Sequence, residues 1–135
     1  MKLTREEVID TVKFAHDKGN TPNLRQADLW WIDLNKANLQ GADLSQAYLR
    51  RANLSQTNLQ GTNLGEADMS AANLRGANLR QAELSHVDLH EADLHQADLR
   101  ETDLQGANLR RAKYDDKTLW PTDFDPIEAG AIHKE

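Results

Sequence analysis

Residues 72–84 read ANLRGANLRQAEL, in which Ala, Asn (once Glu) and Leu return at every fifth position. A five-residue beat decides the fold because neither regular element can use it. On an α-helix each residue turns about 100°, so a step of five advances the side chain by a net ~140° and spirals the leucines around the cylinder. Along a straight strand the side chains alternate, so an odd period sends successive leucines to opposite faces. The beat works when the chain turns a corner once per repeat. Ala and Leu, two residues apart, then both face inward, the residue between them faces outward, and the next two make the corner.

The phrase extends well beyond this stretch. Leucine stands at every fifth position from Leu24 to Leu109, with Met69 the single exception among eighteen. The residue two before it is Ala in twelve of the eighteen, and the residue just before it is Asn or Asp in sixteen, Tyr48 and Glu83 being the exceptions. Gly41, Gly61, Gly65, Gly76 and Gly106 fall in the two corner positions, where glycine readily takes positive φ. Small Ala beside large Leu lets facing sides fill a narrow interior without voids. Such a chain coils, and its successive coils must stack through backbone hydrogen bonds.

The run ADLSQAYLRRANLSQTNLQGTNLGEADMSAANLRGANL, residues 42–79, resembles the pentapeptide-repeat proteins, whose consensus is A(D/N)Lxx. The likeness covers residues 22 to about 112, about two-thirds of the chain. It implies an all-β solenoid, a right-handed quadrilateral β-helix with four repeats per coil. Eighteen repeats then make about four to five coils, each rising ~4.8 Å. Leu24, Leu44, Leu64, Leu84 and Leu104 stack on one side, and Met69 lies between Leu49 and Leu89, where its flexible side chain fills the same hole.

A stacked solenoid leaves an open core and open strand edges at each end. At the N-terminal end, residues 1–21 are expected to form a capping α-helix. Thr4 and Glu7 make a capping box, Leu3 and Val8 a hydrophobic staple, and Gly19 the stop. Val8, Ile9, Val12 and Ala15 share one side of that helix. Residues 113–135 read as a closing segment. Tyr114 and Leu119 keep the five-residue beat, with Lys113 and Thr118 in place of Asn or Asp, and Trp120, Phe124 and Ile127 are expected to lie across the last coil.

Composition bounds the function. There are 135 residues, no cysteine and a net charge of −6, with a mean hydropathy of −0.76. No disulfide or thiolate metal site is possible. No signal peptide or membrane-length apolar run is read, so the expected location is the cytoplasm. The acidic balance does not favour nucleic-acid binding. No nucleophile is paired with a base, no glycine motif cradles phosphate, and an interior filled by Leu and Ala leaves no pocket. The chain therefore reads as no enzyme, with no cofactor. His86, His90 and His95 lie among Asp88, Glu91, Asp93 and Asp98, a set that can bind transition ions. Placed on successive sides of a coil, they read instead as solvent-facing residues, and no metal site is assigned.

Trp30 and Trp31 fill the two variable positions of an early repeat, and Tyr48 takes an outward place on the next coil of the same side. Large aromatics among polar neighbours mark an interface, which makes Trp30, Trp31 and Tyr48 the candidate interaction surface. They are also a landing place for the N-terminal helix, meeting Val8 and Val12, and that coverage is the expectation. The leading functional reading is a non-enzymatic protein-interaction or scaffold module for an unknown protein partner, as a monomer or an end-to-end dimer. The alternative, implied by the resemblance, is a DNA-mimicking regulator of DNA gyrase or topoisomerase. Against it, Arg50, Arg51, Arg75, Arg80, Arg100, Arg110 and Arg111 interrupt the negative field.

Overall fold

The structure, a computed structural model, describes residues 1–135. Parallel bridges link each outward residue to the one twenty positions later, from Asn23–Asp43 through Asp93–Lys113. A twenty-residue register is four repeats per turn, so the chain runs as a four-sided coil. The first face carries Asn23, Asp43, Asn63, Glu83 and Asp103 as its outward rungs. The second carries Asp28, Tyr48, Asp68, Asp88 and Asn108, the third Asp33, Asn53, Asn73, Asp93 and Lys113, and the fourth Asn38, Asn58, Asn78, Asp98 and Leu119.

Each repeat meets its backbone needs in the same way. The Leu24 N–H donates to the Asp43 carbonyl of the next coil at 2.8 Å, and the Asp43 N–H returns a bond to the Pro22 carbonyl at 2.8 Å. At the corner the Ala27 N–H closes a turn onto the Leu24 carbonyl at 3.1 Å. Positive φ at the second central residue makes this a type II turn. All eighteen of these corner residues have φ between +56° and +71°, yet only Gly41, Gly61, Gly76 and Gly106 are glycine. Gln26, Gln46, Gln56, Gln81 and Gln96 take the same conformation, an uncommon one for residues with a Cβ. The inter-coil ladder holds them there: the Gln26 N–H donates to the Ser45 carbonyl at 2.9 Å. Gly65 sits one place earlier, where φ is not positive, so its presence does not answer a conformational need of the corner.

The interior follows the beat. The leucines from Leu29 to Leu99 and Met69 are fully buried, and the alanines fill the space between them. Where Thr replaces Ala, the buried hydroxyl needs an acceptor. Thr57 Oγ1 donates to the Leu34 carbonyl and Thr62 Oγ1 to the Leu59 carbonyl, both at 2.8 Å.

Helix α1, Arg5–Asp17, begins at Thr4 with both halves of the capping box formed and is followed by Lys18 and a positive-φ Gly19. Val8 and Val12 join the cluster that contains Leu24 and Leu29. The edge carbonyls of the first coil, which have no preceding coil, find partners in this segment. Leu3 N–H donates to the Asp28 carbonyl, Arg5 to the Asp33 and Asn35 carbonyls at 2.9 and 3.1 Å, and His16 Nε2 lies 2.8 Å from the Gln40 carbonyl.

At the other end the register slips. Asp98 bridges Leu119, not residue 118, because Tyr114–Thr118 holds one residue more than the repeat allows before the next inward position. Thr118 takes the inward alanine place, where its hydroxyl donates to the Leu94 carbonyl at 2.8 Å. Leu119 consequently points outward and is exposed, the reverse of what continuation of the beat predicts. A one-residue slip exchanges the faces of everything after it. Strands β1, Lys113–Tyr114, and β2, Ile132–His133, pair in parallel and extend the third face. Trp120 stacks on Phe124 at 5.2 Å and meets Tyr114 edge-on at 5.4 Å. Both Trp120 and Phe124 pack on the core, whereas Ile127 is exposed and takes no part in closing the coil.

Candidate interaction surface

Helix α1 does not cover the three aromatics. Trp30 is 46% exposed, Trp31 59% and Tyr48 55%. The expected coverage fails because Val8 and Val12 are needed at the open end of the leucine interior, while corner and rung side chains project away from it. What reaches Trp30 is Lys2, whose Nζ lies 4.0 Å from the ring centroid. Arg51 covers Trp31 from the next coil at 5.2 Å. Both are cation–π geometries, in which the negative face of the ring attracts the cation.

The outward Asn and Asp residues have a structural task that explains their recurrence. In fifteen of the sixteen, Oδ1 accepts the N–H two residues on, which the coil leaves without a backbone partner; examples are Asn23 to Arg25 at 3.1 Å and Asp43 to Ser45 at 3.0 Å. Asp28 is the exception. Its Oδ1 is buried and accepts no hydrogen bond. Asp28, Trp30, Tyr48, Arg50 and Asp68 line an open hollow of about 460 Å³ on the second face. The site therefore joins the sequence-flagged Trp30 and Tyr48 to Asp28, which no sequence signal marks because it matches the repeat. Trp31 lies around the corner and is not part of the lining.

The three histidines separate. His86 lies over Gly106, where any Cβ would collide with the ring. His90 Nδ1 is 3.5 Å from Glu91 on the same corner. His95, expected in solvent, is 6% exposed. It is held at both ring nitrogens, Nδ1 at 2.5 Å from Asp93 Oδ1 and Nε2 at 3.0 Å from the Lys134 carbonyl, so it ties the chain's last residues to the third face. The histidines do not converge on one point, and no group of three metal-ligating side chains comes together. Asp93 also takes a bond from Arg75 at 2.9 Å. Burial disfavours the Asp93 carboxylate, but the hydrogen bonds from His95 and Arg75 outweigh it and hold its pKa below 3.8. Asp98 is lowered chiefly by its hydrogen bonds to Arg100. These carboxylates are tied into local pairs, Asp93 with His95 and Arg75 and Asp98 with Arg100.

A four-sided coil with a leucine interior, Asn/Asp-capped corners and an aromatic hollow defines a repeat solenoid. The chain belongs to the pentapeptide-repeat family: the profile described as Pentapeptide repeats matches in eight copies over residues 22–51, 47–85 and 77–113. Among solved structures it is similar to HetL, a pentapeptide repeat protein involved in heterocyst differentiation regulation in Nostoc sp. strain PCC 7120. That likeness has 40% identity and a TM-score of 0.67 over 69% of this chain and 40% of HetL. Rfr23 of Cyanothece 51142 is 36% identical, with a TM-score of 0.63 over 79% of this chain and 69% of that one. A pentapeptide repeat protein of the Arabidopsis thaliana thylakoid lumen is 29% identical, with a TM-score of 0.68 over 70% of this chain and 66% of that one. The chain spans less than half the length of HetL. No match was found among curated proteins. With these relatives the coil is the right-handed quadrilateral β-helix of the family. No helix is long and apolar enough to cross a membrane.

Proposed function

We propose that the protein is a non-enzymatic interaction module, a solenoid of four to five coils closed at one end by α1, which presents its second face to a protein partner. The observation that carries this reading is the uncovered group of Trp30, Trp31 and Tyr48 in a chain that otherwise buries nearly all its bulky repeat residues. Large aromatics supply much of the binding energy at protein interfaces because they desolvate a wide area at low entropic cost. The family relationship supports the same reading, since the repeats of this chain vary chiefly at their two corner positions while the interior stays mostly Ala and Leu.

The test is affinity capture from native extract with the wild-type chain and a Trp30→Ala/Trp31→Ala/Tyr48→Ala variant whose folding is checked by circular dichroism. The expected result is loss of the captured partner with the variant. Equal recovery by both would remove this face from the function. The DNA-mimicking alternative is not favoured. The second face alternates Asp28, Tyr48, Asp68, Asp88 and Asn108, and its corner carries Arg50, Arg51, Arg110 and Arg111. Duplex DNA presents one negative charge per ~1.7 Å of axis.

A further inference from the structure

The hollow on the second face carries charges of both signs, and most are already satisfied. Arg50 Nε lies 3.6 Å from Asp68 Oδ2. Lys2 rests on Trp30. Gln26 donates to Gln46 at 2.8 Å. Of the two carboxylates in the lining, Asp68 is paired with Arg50, which leaves Asp28 with no ion-pair partner, and its buried Oδ1 has no donor. A carboxylate oxygen withdrawn from water is stable only when something donates to it. Every other Asn or Asp rung solves this by capping its own corner, and Asp28 alone does not. The departure falls beside Tyr48, one of the two rungs in the eighteen repeats that are not Asn or Asp. The two irregularities of the second face thus meet in one hollow.

We propose that this hollow receives an arginine side chain from a protein partner, stacked against Trp30 and Tyr48 with Asp28 as its counter-ion, and that Lys2 is the chain's own occupant which the arginine displaces. The inference rests on the interaction-module reading and names the chemistry of the partner. Aromatic faces carry negative electrostatic potential and favour a cation over an anion. The molecule itself places a cation on each exposed tryptophan, Lys2 on Trp30 and Arg51 on Trp31. The carboxylate left without an ion-pair partner is that of Asp28, which complements a cation and repels another carboxylate. Arginine fits better than lysine because its guanidinium is planar. It stacks on a ring while offering several N–H groups to a carboxylate, whereas an ammonium is a strongly hydrated point charge. Lys2 is well placed to compete and easily displaced: it stands at the exposed edge of the coil, bridged to Asp28 by backbone alone.

The experiment is an NMR titration of the full chain, following the three tryptophan indole N–H signals, assigned by the Trp30→Phe and Trp31→Phe variants. The probes are N-acetyl-arginine amide and N-acetyl-citrulline amide, which share size and shape but differ in charge. The expected result is a saturable shift of the Trp30 signal with the arginine probe in the millimolar range, at least about five-fold weaker with citrulline. Asp28→Asn, which installs the other common rung residue and so keeps the fold, is expected to weaken arginine binding by about five-fold. Lys2→Ala is expected to strengthen it by about two- to three-fold by removing the internal competitor. Equal binding of the two probes, unchanged affinity in Asp28→Asn, or no shift up to about 50 mM probe each overturns the proposal. A shift produced instead by inorganic phosphate, acting through Arg50, overturns it too. If the triple aromatic variant loses its partner in affinity capture while the arginine probe does not bind, this inference fails and the interaction reading stands. If capture is unaffected by that variant, the broader reading fails.

Discussion

The two ends of the coil face the same problem and solve it with different chemistry. The first coil has carbonyls with no preceding coil, and they are met by discrete polar groups: the Leu3 N–H, the Arg5 guanidinium and the His16 ring. Only the short apolar stripe of Val8, Val12 and Ala15 is buried beneath α1. The last coil is closed mainly by bulk. Tyr114, Trp120, Phe124 and His133 pack ring on ring, and the β1–β2 pair and His95 hold the tail in place. In a solenoid each coil contacts only its neighbours, so each end can loosen on its own. The difference shows that a repeat edge can be closed either by satisfying its hydrogen bonds or by burying it under side chains, with unequal sensitivity to mutation.

The largest effect should come from Tyr114→Ala, which removes the ring that Trp120 and His133 both meet. A loss of about 3–5 kcal/mol is expected in denaturant unfolding, from transfer and cavity together. Val12→Ala at the opposite end should cost only about 2 kcal/mol, for two methyl groups. If Val12→Ala proved the more damaging, the contrast between the ends would be reversed. Thr118→Val preserves the shape of the slipped repeat but leaves the Leu94 carbonyl and the Asp115 N–H without their hydroxyl partner. It should cost about 1–3 kcal/mol and speed amide exchange in the last coil more than in the first. Thr4→Ala breaks the capping box and should cost about 1 kcal/mol, with faster exchange confined to α1.

Acid should give the smallest and most local change. Asp93 and Asp115 both stand below the ordinary 3.8, in each case because hydrogen bonds overcome the opposing effect of burial. A carboxylate whose pKa is depressed by folding contributes stability that is complete above its unfolded value and is lost as pH falls through its folded value. Both residues lie toward the C-terminal end. Lowering the pH from 6 to about 3 should therefore broaden the amide signals of Gln96 and Lys134 before those of α1. Simultaneous loss at both ends would show that the tail carries no special acid sensitivity.

Much of the fold could be read because a five-residue period forces one corner per repeat, and the family resemblance supplied four repeats per coil. Seventeen leucines and Met69 at a period of five exclude helix and strand, and the capping box at Thr4 and Glu7 is local chemistry. The slip at Tyr114–Thr118 could not be read in this way. Leu119 continues the beat in the sequence, but the inward place goes to whichever residue best meets the previous coil, and Thr118 does so through the Leu94 carbonyl. The aromatic site was visible as Trp30, Trp31 and Tyr48. Asp28 was not, since in the sequence it looks like fifteen other rungs.

The sequence by itself determined that the chain turns a corner once per repeat and coils, because neither a helix nor a straight strand can bury every fifth residue. Only the tertiary structure decided what the irregular residues do: that α1 sits over the leucine interior and leaves the tryptophans bare, that His95 turns inward to hold the tail, and that Asp28 keeps a carboxylate oxygen unspent beside Trp30 and Tyr48. Those outcomes depend on which neighbour twenty residues away satisfies a given group, and a five-residue pattern does not encode that choice.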